Sequence, residues 1–112
     1  MQHQPFILTP TVFHILLALR DADRHGYQIM KQIEADTEGQ IKLLTGTLYG
    51  ALKRLLEEGL VAESSQRPDQ DDARRRYYQL TPKGKSALGL ELDRYKLALL
   101  VARKAQIYEF QS

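Results

Sequence analysis

The chain has 112 residues, of which 43% are hydrophobic and 27% charged, and sixteen Lys and Arg against fourteen Asp and Glu give a net charge of +2. That length supports one domain with its own core but not two, and the composition is that of an ordinary globular protein rather than a disordered one. Because no cysteine is present, a disulfide framework and thiolate metal sites are both excluded.

Residues 6–19 are the most apolar early stretch, but they contain Pro10 and His14, follow no basic region and run into "RDADR". No secretory signal is therefore expected. The longest uninterrupted apolar run, "LALLVA", falls far short of the roughly 20 residues that a membrane-spanning helix needs. A soluble, cytoplasmic protein is expected. Charge is unevenly spread: residues 21–40 hold five acids and two bases, residues 81–112 six bases and three acids, and Arg74, Arg75 and Arg76 stand together. Local positive potential of this kind, rather than total charge, is what a polyanion binder needs, although such clusters also occur as plain solvated faces.

Taken in chain order, Val12, Phe13, Leu16, Leu17 and Leu19 recur at helical spacing, which predicts a first helix over residues 12–20. Thr9-Pro10 or Thr11 offers its cap and first-turn proline. "DADRHG" breaks the pattern. A second helix is predicted over residues 26–35, with Tyr27, Met30 and Ile33 on one face and a glycine in "TEGQ" to end it. Ile41, Leu43 and Leu44 suggest a brief apolar connection, at most a bridge of strand.

"GTLYGALKRLLEEGLV" supplies the third helix. Thr45 fits as its N-cap, Leu48, Ala51, Leu52, Leu55 and Leu56 as its buried stripe, and Gly59 as its stop. Thr47, Tyr49, Gly50, Lys53, Arg54 and Glu57 are left facing outward, small at the leading end and basic toward the middle. A face of that shape suits entry into a groove about 12 Å wide. Residues 60–65 and 74–80 read as two strands of a hairpin around the polar loop "QRPDQDDA". Tyr78 and Leu80 are expected to face the helices, and Arg75 and Tyr77 the other side.

Thr81-Pro82 caps a final helix expected to run toward Phe110, about 40 Å in all. Gly84 and Gly89 weaken its early turns by up to about 1 kcal/mol each. Leu88, Leu92, Tyr95, Leu99 and Ala102 follow steps of four and three, and further apolar residues widen this stripe beyond what one small domain can cover. Another chain is expected to cover the rest.

Helix, helix, helix, hairpin, long helix is the order of a winged helix-turn-helix with an appended dimerisation helix: mainly α with a small β-hairpin wing. Residues 1–80 form the DNA-binding part and residues 81–112 the dimerisation helix in this reading. "HGYQI", "GTLYGALKRLLEEGLV" and "RRRYYQLTPKGKSAL" resemble, in this order, three signatures of the PadR family of bacterial transcriptional regulators, in its short form with a single C-terminal helix. The resemblance spans about residues 16–88. It departs at Gly50, where the family usually carries proline.

The resemblance implies a homodimeric, sequence-specific repressor that binds a palindromic operator in double-stranded DNA and releases it when a small hydrophobic or phenolic effector binds. Candidate DNA contacts are Tyr27, Lys42, Thr45, Thr47, Tyr49, Lys53, Arg54, Arg75 and Arg76. For several of these the residues leave two readings open. Tyr49 either reaches a phosphate or sugar or lies half-buried against the second helix, and Thr47 either reads a base edge or supports the cap. Lys53 and Arg54 hold phosphates or pair with Glu57 and Glu58. Tyr27 lies by the DNA backbone or in the core, and Arg75 and Arg76 meet phosphates or pair with Asp69, Asp71 or Asp72. The acidic loop tip itself is expected to be repelled by phosphate.

Phe6, Phe13, Leu88, Leu92, Tyr95, Leu99 and Ala102 mark the expected dimer and effector seam. His3, His14 and His25 have no ligand spacing, so no metal or cofactor is expected. No nucleophile elbow, phosphate loop or paired-carboxylate site points to an enzyme. The alternative from another class is a dimeric winged-helix scaffold whose third helix meets a protein instead of DNA.

Overall fold

The computed structural model describes residues 8–65 and 74–108. The first helix, α1, runs Pro10–Ala18, two residues earlier than its apolar period suggests, because Thr9 caps it by accepting from the Val12 amide at 3.2 Å and Pro10 occupies the first turn. A two-residue strand, β1 (Arg24–His25), then leads directly into α2, Gly26–Asp36. His25 is the N-cap: its Nδ1 accepts from the Gln28 amide at 3.3 Å, while the His25 amide donates to Gln28 Oε1 at 3.1 Å. Two amides without intrahelical partners are thereby satisfied reciprocally. Arg20 clamps the far ends of α1 and α2 together, donating to Asp36 at 2.8 Å. Burial pushes the Asp36 carboxyl up, but hydrogen bonds from Gln32 and Arg20 together outweigh it and hold the group below its ordinary range.

α3 spans Thr45–Glu57. Thr45 is its first helical residue and not its cap; Leu44 holds the cap position, with extended backbone and no side-chain hydrogen bond. Ile41, Leu43 and Leu44 form no strand. Leu48, Leu52 and Leu55 are buried as the period predicts, but Leu56 lies at the edge of the stripe, 36% exposed. Gly59, at φ +74°, turns the chain so that the Leu60 amide donates to Leu55 O at 2.9 Å.

The strands β2 (Val61–Ser64) and β3 (Tyr77–Leu80) pair antiparallel, with Val61 opposite Leu80 and Ser64 opposite Tyr77. The sheet has three strands rather than two, in the order β1-β3-β2. This moves β3 to the centre and corrects the expected facing of Tyr77: it is buried like Tyr78, with the His25 ring edge-on to it at 5.3 Å. Ser64, at the end of β2, donates to the Asp23 carboxylate just before β1.

α4 runs Pro82–Lys104, 23 residues, and ends short of the expected Phe110, which lies outside the described residues. Gln106 takes a left-handed φ of 61°, and the Ile107 amide folds back to Ala102 O at 3.0 Å, so the chain leaves the helix there. Among the described residues no helix is long and apolar enough to cross a membrane.

The core lies where the first three helices meet, around Ile15, Leu16, Ile29, Ile33, Leu48, Leu52 and Leu55, with Leu60, Val61, Tyr78 and Leu88 completing it from the sheet and α4. Only the first turns of α4 reach this core. The start of α4 is lashed to the end of α3: Thr81 Oγ1 donates to Gly59 O at 2.6 Å, the Thr81 amide to Leu60 O at 3.2 Å, and Lys83 to Glu58 O at 2.8 Å. Gly84 makes the approach possible, since a β-carbon there would fall 2.0 Å from Leu60 O. The two glycines of α4 therefore differ. Gly84→Ala is expected to lower the melting temperature by more than 5 °C, as an overpacking change costing about 1–3 kcal/mol does. Gly89→Ala, where a β-carbon meets nothing within 4 Å, is expected to raise stability by up to about 1 kcal/mol through helix propensity. Thermal unfolding of the two variants side by side checks the contrast.

Candidate nucleic-acid interface

Three segments converge on one side of the fold. The N-terminus of α2 brings Gly26 and Tyr27, the leading half of α3 brings Tyr49, and the root of β3 brings Arg74, Arg75 and Arg76. Together with His25 and Tyr78 they line an open cleft of about 440 Å³. Its walls are aromatic and its rim carries three guanidinium groups, an arrangement that suits a polyanion with flat or apolar sugar surface.

Tyr49 lies half-buried against the second helix, one of the two readings left open by the sequence. Its hydroxyl rests over Gly26, where a β-carbon would come within 2.3 Å of Tyr49 Oη, so α2 and α3 meet through this glycine. The ring is still 47% exposed on the cleft side. Tyr27 is 60% exposed and so is not a core residue; the Lys31 ammonium sits 5.5 Å from its ring centroid. Burial first, then the neighbouring Tyr49 and Glu63, push the Tyr78 hydroxyl above its ordinary value against the pull of Arg76. It stays neutral at the floor of the cleft.

Arg76 pairs with Glu63 across the sheet at 3.5 Å, a solvent-exposed contact that contributes little. The expected partners Asp69, Asp71 and Asp72 lie outside the described residues. Lys53 and Arg54 are exposed on α3, and among the described residues neither makes an ion pair, with Glu57, Glu58 or any other carboxylate. Lys42 is exposed on the connection before α3 and faces Glu34 at 3.8 Å. Thr45 and Thr47 are exposed at the leading end of α3.

The second expected site lies on the opposite element. Phe13 and Tyr95 meet edge to face with centroids 4.8 Å apart, and with His14, Ala98, Leu99 and Ala102 they line an apolar groove of about 620 Å³ between α1 and α4. Leu88 is buried in the core and Leu92 is exposed, neither of them lining the groove, and Phe6 lies outside the described residues. Sequence reasoning weighed His14 only as a metal ligand; here its Nδ1 is buried without a hydrogen-bond partner.

The family model described as the transcriptional regulator PadR-like family matches residues 15–90. A Lysinibacillus sphaericus protein designated X is 34% identical over 74 residues, covering 66% of this chain and 67% of that protein. The crystal structure of a PadR family transcription regulator from Clostridium difficile R20291 superposes with a TM-score of 0.67 at 28% identity, covering 84% of this chain and 97% of that one. Bacillus subtilis PadR, solved in complex with operator DNA, shares the fold with a TM-score of 0.64 at 24% identity; the match covers 75% of this chain and 47% of that one.

The Gly26–Tyr49 contact gives a direct test of how the cleft is built. Gly26→Ala is expected to push the half-exposed Tyr49 ring aside and to destabilise the protein by about 1 kcal/mol, the low end for an overpacking change. In a Tyr49→Ala background the same substitution is expected to be nearly neutral, a coupling that denaturant unfolding of the four proteins measures.

Proposed function

The chain belongs to the PadR-like family of transcriptional regulators, and we propose that it acts as a homodimeric repressor binding a palindromic operator. The observation that carries this reading is the convergence of Tyr27, Tyr49 and the three arginines beside an α3 face whose Lys53 and Arg54 make no ion pair among the described residues. In this reading α3 lies in the major groove, Thr45 and Thr47 face base edges, and Lys42, Lys53, Arg54, Arg75, Arg76, Tyr27 and Tyr49 hold the backbone. Residues 1–80 form the reading unit. Residues 81–112 supply dimerisation, since Leu92, Tyr95, Leu97, Leu99, Leu100 and Val101 of α4 all carry exposed apolar surface that a second copy buries. Two α3 helices about 34 Å apart then meet successive major grooves.

In vitro selection from random duplexes is expected to recover an inverted repeat. If each protomer neutralises about three phosphates, log–log salt dependence has a slope near −5, a loss of roughly a thousandfold between 50 and 200 mM. Replacing Lys53 and Arg54 with Ala is expected to flatten that slope to about −2. Selection without any preferred duplex, or binding indifferent to salt, returns the protein to the scaffold reading.

The groove between α1 and α4 supports the effector part of the proposal. Phe13, Tyr95, Leu99 and Ala102 offer apolar walls and His14 lines the same groove, a match to a small aromatic molecule. Such a ligand releases DNA only by binding one spacing of the two α3 helices better than the other. Simple phenols are expected to raise the melting temperature and weaken operator binding, and a Phe13→Ala protein to lose both responses. A panel that shifts neither property removes the effector.

A further inference from the structure

The leading end of α3 carries three sequence choices that the isolated protomer does not favour. Leu44 stands at the cap position with no side-chain hydrogen bond, where Ser, Thr, Asp or Asn is strongly preferred, and it is 76% exposed. Gly46 and Gly50 sit inside the helix although a β-carbon at either would meet nothing within 4 Å, so packing does not require glycine and helix propensity opposes it. A single exposed leucine is ordinary on a protein surface. A leucine replacing a cap, on a helix end otherwise pared down to Thr45, Gly46 and Thr47, is not. Sequence choices that oppose local stability collect where another surface is to be met.

That surface is specified by what the end lacks as well as by what it has. Residues 44–50 carry no charged side chain, and from Leu44 to Thr47 the side chains offer only aliphatic groups and two hydroxyls. The first-turn amides of α3, which no side chain caps, remain able to meet an anion, but the Leu44 side chain itself suits only an apolar partner. In the major groove, the apolar group that a base pair presents is the C5-methyl of thymine, and the N-terminal residues of a reading helix are those that reach base edges. The open glycines let the backbone approach closely enough for a leucine of that reach to touch it. We infer that Leu44 is a specificity-determining residue that packs on a thymine methyl in each half-site, with the Thr47 methyl beside it. This rests on the operator-binding reading above.

The test uses the full-length protein and the duplex recovered by selection, with each thymine of a half-site replaced in turn by deoxyuridine, which removes only the methyl. One position is expected to weaken wild-type binding about fourfold, the factor for burying one methyl-sized group. Against Leu44→Ala that position is expected to make no difference. Leu44→Asn, which restores a cap, is expected to melt several degrees higher while losing the same discrimination. If no uracil position matters to the wild type, or if the penalty persists unchanged in both variants, Leu44 does not read thymine. A Leu44→Asn protein no more stable than wild type overturns the premise that the position is kept against the fold's own preference. Should selection recover no preferred duplex at all, the operator reading falls and takes this inference with it, an outcome distinct from a recovered operator that ignores uracil.

Discussion

The close approach of α4 to the carbonyl of Leu60 governs the geometry of this protein more than any other contact. Gly84 permits it, Thr81 fastens it with a hydroxyl donated to Gly59 O, and Lys83 adds a third tie to Glu58 O. All three ties run to the turn that ends α3. The helix with the basic outer face and the helix with the uncovered apolar length are therefore tied directly, the end of the first to the start of the second. In a two-fold assembly held by α4, the distance between the two α3 helices is set at this joint.

The same economy appears on the other side of α3. Tyr49 does two jobs at once, holding α2 through Gly26 while presenting its ring edge to the cleft. One wall of the cleft, formed by His25, Gly26, Tyr49 and Tyr78, is thus made of residues that also knit the helices and sheet together, while Tyr27 and the three arginines stand out from it exposed. The α1–α4 groove is built differently. It is apolar, open and lined largely by residues of α4 beyond the reach of the core, with one orphaned imidazole nitrogen. Sites assembled from loosely covered surface change shape at low cost, whereas sites assembled from core-packed residues do not.

Much of this was legible in the sequence because the responsible signals are local and periodic. The leucine stripe of α3, the stop at Gly59 and the Thr81-Pro82 start of α4 each follow from spacing or from one residue's backbone preference. What escaped had no local signature. A two-residue strand at Arg24 and His25 is too short to show alternation, and it exists only because β3 arrives from fifty residues away to pair with it. That missing strand is why Tyr77 was assigned to the wrong face. His25 as a cap was hidden because imidazole is not among the usual capping groups. Thr45 drew the cap assignment one residue late because it is the right chemical type in nearly the right place. Gly84 looked like a weakness of α4, since only the folded chain brings the Leu60 carbonyl against it.

One consequence of the short strand reaches past its size. His25 is at once the outermost residue pairing with β3 and the residue that closes the first turn of α2. The hairpin and the second helix are therefore joined at His25, whose backbone pairs with Tyr77 while its side chain caps the helix that carries Tyr27. A displacement of the hairpin root and a displacement of the start of α2 therefore meet at the same residue, alongside the Arg24–Tyr78 pairing and the Ser64–Asp23 bond.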